Sequence, residues 1–345
     1  MTTGRFTVDP WDPSYGAAMD HDAGAGLETT TAELDLGVEL PPAEWRPITP
    51  SPDTPLPAVL LIADGVRRVD ARVWTHPGPD GGMPSPGIAA SAAAGIVRCA
   101  PGEPATLATV QVSRSVFSAA RDTPDIVTPA ATYTSRRAAL PTADHLSLAL
   151  QQHLAELEVD LAIRHRTEAH DPDDLLLVDG PLRGRTHLPR TVGYVKTHHT
   201  AYLPPPQAAV VSALTPAQRT PVFLMGTSWR RHTWYLRLPV RSTTPWSGVV
   251  RCETSADLFP DQVTTLADTV TLTLPPLAGV DYKDPRAPQN LVPIGGLEKL
   301  LRHRLGDPRL LYRSLRTAAT RDVPVPVTSL ERSNGGISSR AAPLR

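Results

Sequence analysis

Two aspartates in this 345-residue chain sit in matching surroundings. Asp64 ends the run Val59-Leu60-Leu61-Ile62-Ala63, Asp179 ends Leu175-Leu176-Leu177-Val178, and a glycine follows each. A short apolar run of this kind is the pattern of a buried strand. A carboxylate at the carboxyl end of such a strand lies where open α/β sheets place their chemistry. The glycine lets the chain turn sharply and leaves room for a ligand. If the two strands are neighbours, their carboxylates converge and repel one another unless a cation lies between them. Hard cations such as Mg²⁺ or Mn²⁺ favour such oxygen ligands. The pattern also fits two Asp-Gly turns in which each aspartate caps its own turn, and spacing alone leaves both readings open.

A third carboxylate would have to come from the helix between these strands. Pro141–His165 is the strongest helical stretch, with Asp144 the expected N-cap. On a wheel of about 100° per residue, Leu150, Leu154, Leu157 and Leu161 form one stripe. Glu158 lies roughly 70° from the centre of that stripe and Glu156 about 130° from it. Glu158 is therefore expected to reach the sheet edge, as part of the acidic site or paired with an arginine at the core boundary. Glu156 is expected in water.

The elements that must carry these residues follow from the remaining pattern. Arg67–Trp74 alternates and predicts a second strand, forming a hairpin with the first. Residues 76–92, rich in Gly, Pro, Ser and Ala, read as a loop, and strand-like pieces follow at Gly95–Cys99 and Thr106–Val112. Further strands are expected at Val192–Lys196, Val222–Met225, Trp234–Leu238, Val249–Glu253 and Val270–Leu274. A short helix is expected at Asp257–Ala267, and later ones at Ile294–Leu305 and Pro308–Thr317. This order predicts an α/β fold with a mixed sheet, flanking helices and additional β-hairpins. The domain limits read as a flexible Pro-rich arm over 1–55, one domain over 56–320 and a flexible tail over 321–345.

Composition restricts the function classes less than the motifs do. Net charge is −1 and the 38 prolines imply much loop. Lys196, Lys283 and Lys299 are the only lysines, so nearly all positive charge is arginine. Pairs such as Arg183 with Arg185 and Arg230 with Arg231 either contact phosphate or reflect a genome rich in Arg, Ala and Pro codons. Cys99 and Cys252 form no ligand spacing and no disulfide framework. With no apolar run near 18 residues and no leader-like N-terminus, a cytoplasmic protein with no membrane association is expected.

At Leu61-Ile62-Ala63-Asp64-Gly65, Leu175–Leu182 (LLLVDGPL) and Val192-Gly193-Tyr194-Val195-Lys196 the chain resembles the NurA nuclease family. That pattern has an early strand ending in Asp-Gly, then Asp-Gly followed by Pro-Leu or Ser-Leu, then a strand reading Gly, Val or Tyr, Val or Ile, Lys. Trp234–Leu238 with Val249–Glu253 resembles the family's late hairpin with an Arg-x-Glu ending. The resemblance covers about residues 58–318, with an insertion-like stretch at 76–140.

It implies an RNase H-like core, Mn²⁺- (or Mg²⁺-) dependent cleavage of DNA, a homodimer and a HerA-type hexameric ATPase as partner. By position, Asp64, Asp179 and Glu158 would hold the ions. Lys196 would touch the scissile phosphate, support the site, or simply pair with a carboxylate. The family's C-terminal histidine is missing from Pro288–Glu298, where Glu298 is the available oxygen ligand and Asn290 a hydrogen-bonding group for phosphate; His303 follows more than a turn later, as a charge at the helix C-terminus. His198 and His199 are adjacent on a strand and cannot both chelate one ion; phosphate or surface contact, or no role, is left for them. The late helices carry Leu297, Leu300, Leu301, Leu305, Leu310, Leu311 and Leu315, more than one stripe facing the sheet requires, so either both helices bury them in the core or some pack on a second subunit. The competing reading is a catalytically inactive RNase H-like module that binds DNA or a translocase; a related enzyme acting on RNA is a third.

Overall fold

In the computed structural model, which describes residues 32–75, 83–169, 171–198, 200–240, 246–280 and 282–321, eleven strands join in one mixed sheet. In chain order they are β1 (Glu33–Asp35), β2 (Val59–Thr75), β3 (Ser85–Cys99), β4 (Thr106–Ser118), β5 (Ile126–Val127) and β6 (Thr132–Arg137), then β7 (Asp174–Asp179), β8 (Thr191–Val195), β9 (Phe223–Gly226), β10 (Arg230–Arg237) and β11 (Val249–Ser255). Across the sheet they run β1-β9-β10-β11-β8-β7-β2-β3-β4-β6-β5. The α-helices among the described residues are α1 (Ala143–Glu168), α2 (Pro205–Ala213), α3 (Pro260–Thr273), α4 (Val292–Arg304) and α5 (Pro308–Arg321). The α/β class with a mixed sheet is thus as the order of apolar runs predicts. None of these helices is long and apolar enough to cross a membrane.

The centre of the sheet positions the two aspartates. β2, β3 and β4 form an antiparallel meander, and α1 carries the chain back so that β7 pairs parallel with β2, and β8 parallel with β7. Ala63 faces Val178 in the β2–β7 register, so Asp64 and Asp179 follow at equivalent levels of adjacent strands. Alternate residues then sort onto two faces. Leu60, Ile62, Val66, Leu175 and Leu177 pack with Val263 and Val270 of α3 and Ile294, Leu297 and Leu301 of α4. Leu61, Ala63, Leu176 and Val178 pack with Leu157 and Leu161 of α1.

Several expectations are corrected. Asp64-Gly65 is no turn: it lies inside β2, 17 residues long and running on to Thr75, and the hairpin partner is β3, paired from Leu60↔Cys99 to Thr75↔Ser85. Residues 85–92 are strand, not loop, because β3 is sandwiched. α1 lies over Ile88, Ala90, Ala92 and Ala94, while helices on the other side cover Ala89 and Ala93. Small side chains let helices approach from both sides, at the expense of the β-branched signal that marks a strand. Residues 76–82, also expected as loop, lie outside the described residues. Val270–Leu274 is no strand; α3 runs unbroken through Thr273, burying Val263, Leu266, Ala267 and Val270 on the sheet. Thr142, not Asp144, caps α1, its Oγ1 accepting from the His145 N–H at 3.4 Å. Asp144 instead sits in the first turn, where the helix dipole favours it.

The 1–55 arm is also corrected from Ala32 onward; its earlier residues lie outside those described, as does the tail over 322–345. β1 pairs with β9, Trp45 is buried against Phe223, and Glu39 grips the buried Arg219 at 2.7 and 2.8 Å.

One glycine sets how closely α4 can sit, and a second, inside α4, does not. Gly95 pairs with Asp64, and a Cβ there would lie 2.9 Å from Leu301 Cδ2 and 3.3 Å from the Thr109 carbonyl oxygen. At Gly296, inside α4, an added Cβ meets nothing within 4 Å. Gly95→Ala is expected to lower stability by about 1–3 kcal/mol through overpacking. Gly296→Ala is expected to raise it by about 0.5–1 kcal/mol through helix propensity. Urea denaturation of the two variants checks this; equal midpoint shifts of the same sign would show that α4 is not clamped at Gly95.

Candidate metal centre

Asp64, on the α4 face of β2, Asp179, at the end of β7, and Glu298, on α4, converge. Each offers one oxygen, and these oxygens lie within 4.8 Å of one another. Asp64 and Glu298 are buried and Asp179 is partly so. Two ionised carboxylates about 5 Å apart repel by about 3 kcal/mol at an effective dielectric of about 20, so the surroundings must supply positive charge.

Two of the three carboxylates have a dedicated cation. Lys196, just past β8, donates from Nζ to Asp179 Oδ2 at 2.5 Å and to Asn290 Oδ1 at 3.0 Å. Arg286 grips Glu298 with both terminal nitrogens, at 2.8 and 2.7 Å, and the exposed Arg302 reaches it at 3.3 Å from one turn along α4. Asn290 donates in turn to Asp284 Oδ2 at 2.5 Å. Tyr194 donates to the Gln289 carbonyl at 2.6 Å and so ties this loop to β8.

Asp64 is different. Its Oδ1 accepts the Gly65 N–H at 2.7 Å, whereas its Oδ2 is buried with no hydrogen-bond partner. Burial raises its pKa well above the ordinary value; Asp179, Glu158 and Glu298 add to the rise and Lys196 opposes it. An orphaned buried carboxylate oxygen beside two further carboxylates is a donor set that fits a hard divalent cation. The three residues could hold a metal ion, whose identity the ligand set leaves open.

Glu158 is placed differently from the expectation that it faces this pair. It stands on the α1 face: a Cβ at Gly65 would lie only 2.4 Å from its Oε1. Its nearest cation is Arg185, at 3.8 Å. Burial pushes its carboxyl up to about 7, with Arg185 opposing and Asp179 adding. The wheel correctly separates it from Glu156, whose side chain is 67% exposed. Which side of the sheet it reaches is set by the strand, whose Asp64 and Gly65 point in opposite directions.

The other candidates divide. Arg183 and Arg230 are exposed. Arg185 and Arg231 are buried, against the expectation of phosphate contact, because each serves an internal carboxylate. Arg185 pairs with Glu158, and Arg231 reaches Glu253 at 3.0 Å while lying over the Trp229 ring. Asn290 is buried between Lys196 and Asp284. His198 is buried among Tyr235 and Trp246 and shares a hydrogen bond with the Val249 carbonyl, so surface or phosphate contact does not apply to it. His199 lies outside the described residues. His303 is exposed in the last turn of α4.

Sequence reasoning missed Arg286 and Asp284, which sit in a Pro/Asp-rich loop without periodicity. It also gave no role to Glu253, fully buried and accepting the Leu182 N–H at 2.7 Å. That bond fixes the turn after Asp179, where Gly180 adopts φ +103°. The signal for it was the Arg-x-Glu ending that Arg251 and Glu253 give β11. Compared with known proteins, the chain matches no family model and no curated protein.

The raised groups predict a pH dependence. An acid whose folded pKa lies above its unfolded value adds stability below the unfolded pKa, and loses it as pH rises through the folded one. For Glu158 the window runs from 4.5 to about 7; Asp64 adds in the same direction. In chelator, Glu158→Gln and Asp64→Asn should therefore gain stability relative to the parent chain as pH rises from 4.5 to 8. Denaturation midpoints across that range measure it, and a constant difference would contradict the shifts.

Proposed function

We propose that this chain is a divalent-metal-dependent nuclease of the NurA type, hydrolysing phosphodiester bonds in DNA during end processing or break repair. One observation carries the reading: carboxylates from β2, β7 and α4 meet within 4.8 Å around a buried Asp64 oxygen that no protein group satisfies. The RNase H-like part is supported by the connectivity, a three-strand antiparallel meander continued through α1 into two parallel strands. Where the resembled family has a histidine, Glu298 supplies an oxygen ligand, which weakens the alternative of an inactive binding module.

A divalent ion held there would lower the pKa of water and offset charge on the leaving oxygen. The protein groups have their own tasks. Asp64, Asp179 and Glu298 hold the ion, and Gly180, with φ +103°, turns the chain away after Asp179. Lys196 has an ammonium able to turn one N–H toward a phosphate oxygen while another holds Asp179. Glu158 acts across β2, through its field on Asp64 and Asp179. Of the arginines singled out in the sequence, the exposed Arg183 and Arg230 are those able to meet DNA phosphates. A homodimer and a HerA-type ATPase complete the reading, in a cytoplasmic setting; Leu300, Leu310 and Tyr312 leave apolar surface on the late helices for a second subunit.

Cleavage of labelled DNA with Mn²⁺ or Mg²⁺ tests this. Residues beside a metal site typically cost about 10–100-fold on removal. Glu158→Gln should fall in that range, Asp64→Asn and Asp179→Asn should lose more than about 100-fold, and Glu156→Gln should match the parent. Cleavage that persists in the Asp64 and Asp179 variants, or in excess chelator, would overturn the assignment.

A further inference from the structure

The groups around Asp64, Asp179 and Glu298 include more built-in positive charge than a site emptied of all but carboxylates would have. Lys196 is locked between Asp179 and Asn290, and Arg286 holds both oxygens of Glu298. Their side chains are only 14% and 21% exposed, so solvent screens them weakly. Beyond them, Asp284 lies 3.6 Å from Arg286, and Arg302, 64% exposed and so screened by water, reaches Glu298 at 3.3 Å. On the far face, Glu158 and Arg185 form their own pair. Three carboxylates against two fixed cations leave one net negative charge, and the carboxylate without a dedicated cation is Asp64, more than nine-tenths buried with Oδ2 unpartnered.

We propose that Lys196 and Arg286 occupy the electrostatic place of a second metal ion, so that the site binds a single divalent cation, centred on Asp64. This rests on the metal-site reading above. With one divalent ion the cluster carries one net positive charge, and a second would bring it to three in a largely buried volume. Coulomb repulsion at these separations opposes the second ion strongly. The first ion has what it needs without displacing either cation. A carboxylate offers about four lone-pair sites, so Glu298 can keep Arg286 and Asp179 can keep Lys196 while each presents a further lone pair to the ion. Asn290 and Asp284 hold Lys196 in that position from behind, and the same loop delivers Arg286. The segment Asp284–Asn290 is thus a positioning element that reaches two ligands at once.

Mn²⁺ titration of the full chain, followed by the electron paramagnetic resonance signal of unbound Mn²⁺, reads stoichiometry without any cleavage assay. The parent chain should take up one equivalent. Lys196→Gln and Arg286→Gln should each still bind one, about tenfold or more tightly, because a repelling charge is gone. The double variant should bind two. Lys196→Arg, which keeps the charge, should behave as the parent does, and circular dichroism confirms that each variant is folded. Two equivalents on the parent chain would overturn the single-ion inference while leaving the metal site intact. A folded double variant that still binds one would also overturn it, since the two cations would not be what excludes the second ion. If the double variant fails to fold, the single variants decide: unchanged or weaker affinity in both would count against the proposal. No binding to the parent chain would remove the metal reading and this inference together.

Discussion

Three carboxylate oxygens within 4.8 Å of one another, in a place mostly shut off from water, set the terms for the surrounding structure. Left alone, such a cluster would protonate or push its elements apart, since an unpaired buried charge costs several kcal/mol on the order of magnitude seen in proteins. The chain answers with Lys196 from the end of β8 and Arg286 from the loop before α4, and leaves Asp64 unmatched. Both cations come late in the sequence from separate elements, so the cluster is a meeting point for parts of the chain more than 200 residues apart (Asp64 and Arg286, for instance). What looks like a local acidic motif is a long-range constraint on how β2, β7, β8 and α4 dock.

Close approach is the second requirement, and small residues meet it. α4 can bring Glu298 to the sheet because Gly95, beside Asp64, leaves space under Leu297 and Leu301. On the opposite face Gly65 leaves space for Glu158, and Gly193 lets Glu253 and the Leu182 backbone press against β8, where a Cβ would lie 2.9 Å and 2.8 Å from them. The alanines of β3 do the same over a longer span. The feature that made β3 look like a loop is therefore the one that allows helices on both of its sides. Sequence pattern reports the chemistry of a residue's own side chain, whereas at Gly95 and Ala92 the relevant fact is the side chain of a distant neighbour.

The aspartates were legible for the opposite reason. Each sits at the end of a run whose own residues are buried, so strand, burial and position could be read from a window of six or seven residues. Glu298 was legible only as the oxygen ligand left where a histidine was expected. Glu158 was half legible: helical periodicity gives its distance from the core, but the face it meets depends on the phase of β2, and a single residue of phase moves a group to the other side of a sheet. Arg286, Asp284 and Glu253 were not legible as site residues. An arginine in an irregular loop carries no periodic signal, and its value lies wholly in the carboxylate it reaches.

The charge balance also bears on how this site departs from the pattern it resembles. A histidine ligand is neutral when it binds a metal; a glutamate in its place adds a negative charge. Glu298 does not come alone, however. Arg286 holds both of its oxygens, and the two together bring no net charge to the ligand set. Glu298 matches a neutral ligand in charge only with Arg286 present, so the two residues act as one unit. Geometry makes the same point. A histidine fixes its ring through a hydrogen bond to its other nitrogen, and a glutamate side chain has more rotatable bonds and needs firmer restraint. The two-point grip of a guanidinium supplies that restraint, from a loop that also steadies Lys196. Glu298, so held, offers an oxygen at the third position of the carboxylate cluster.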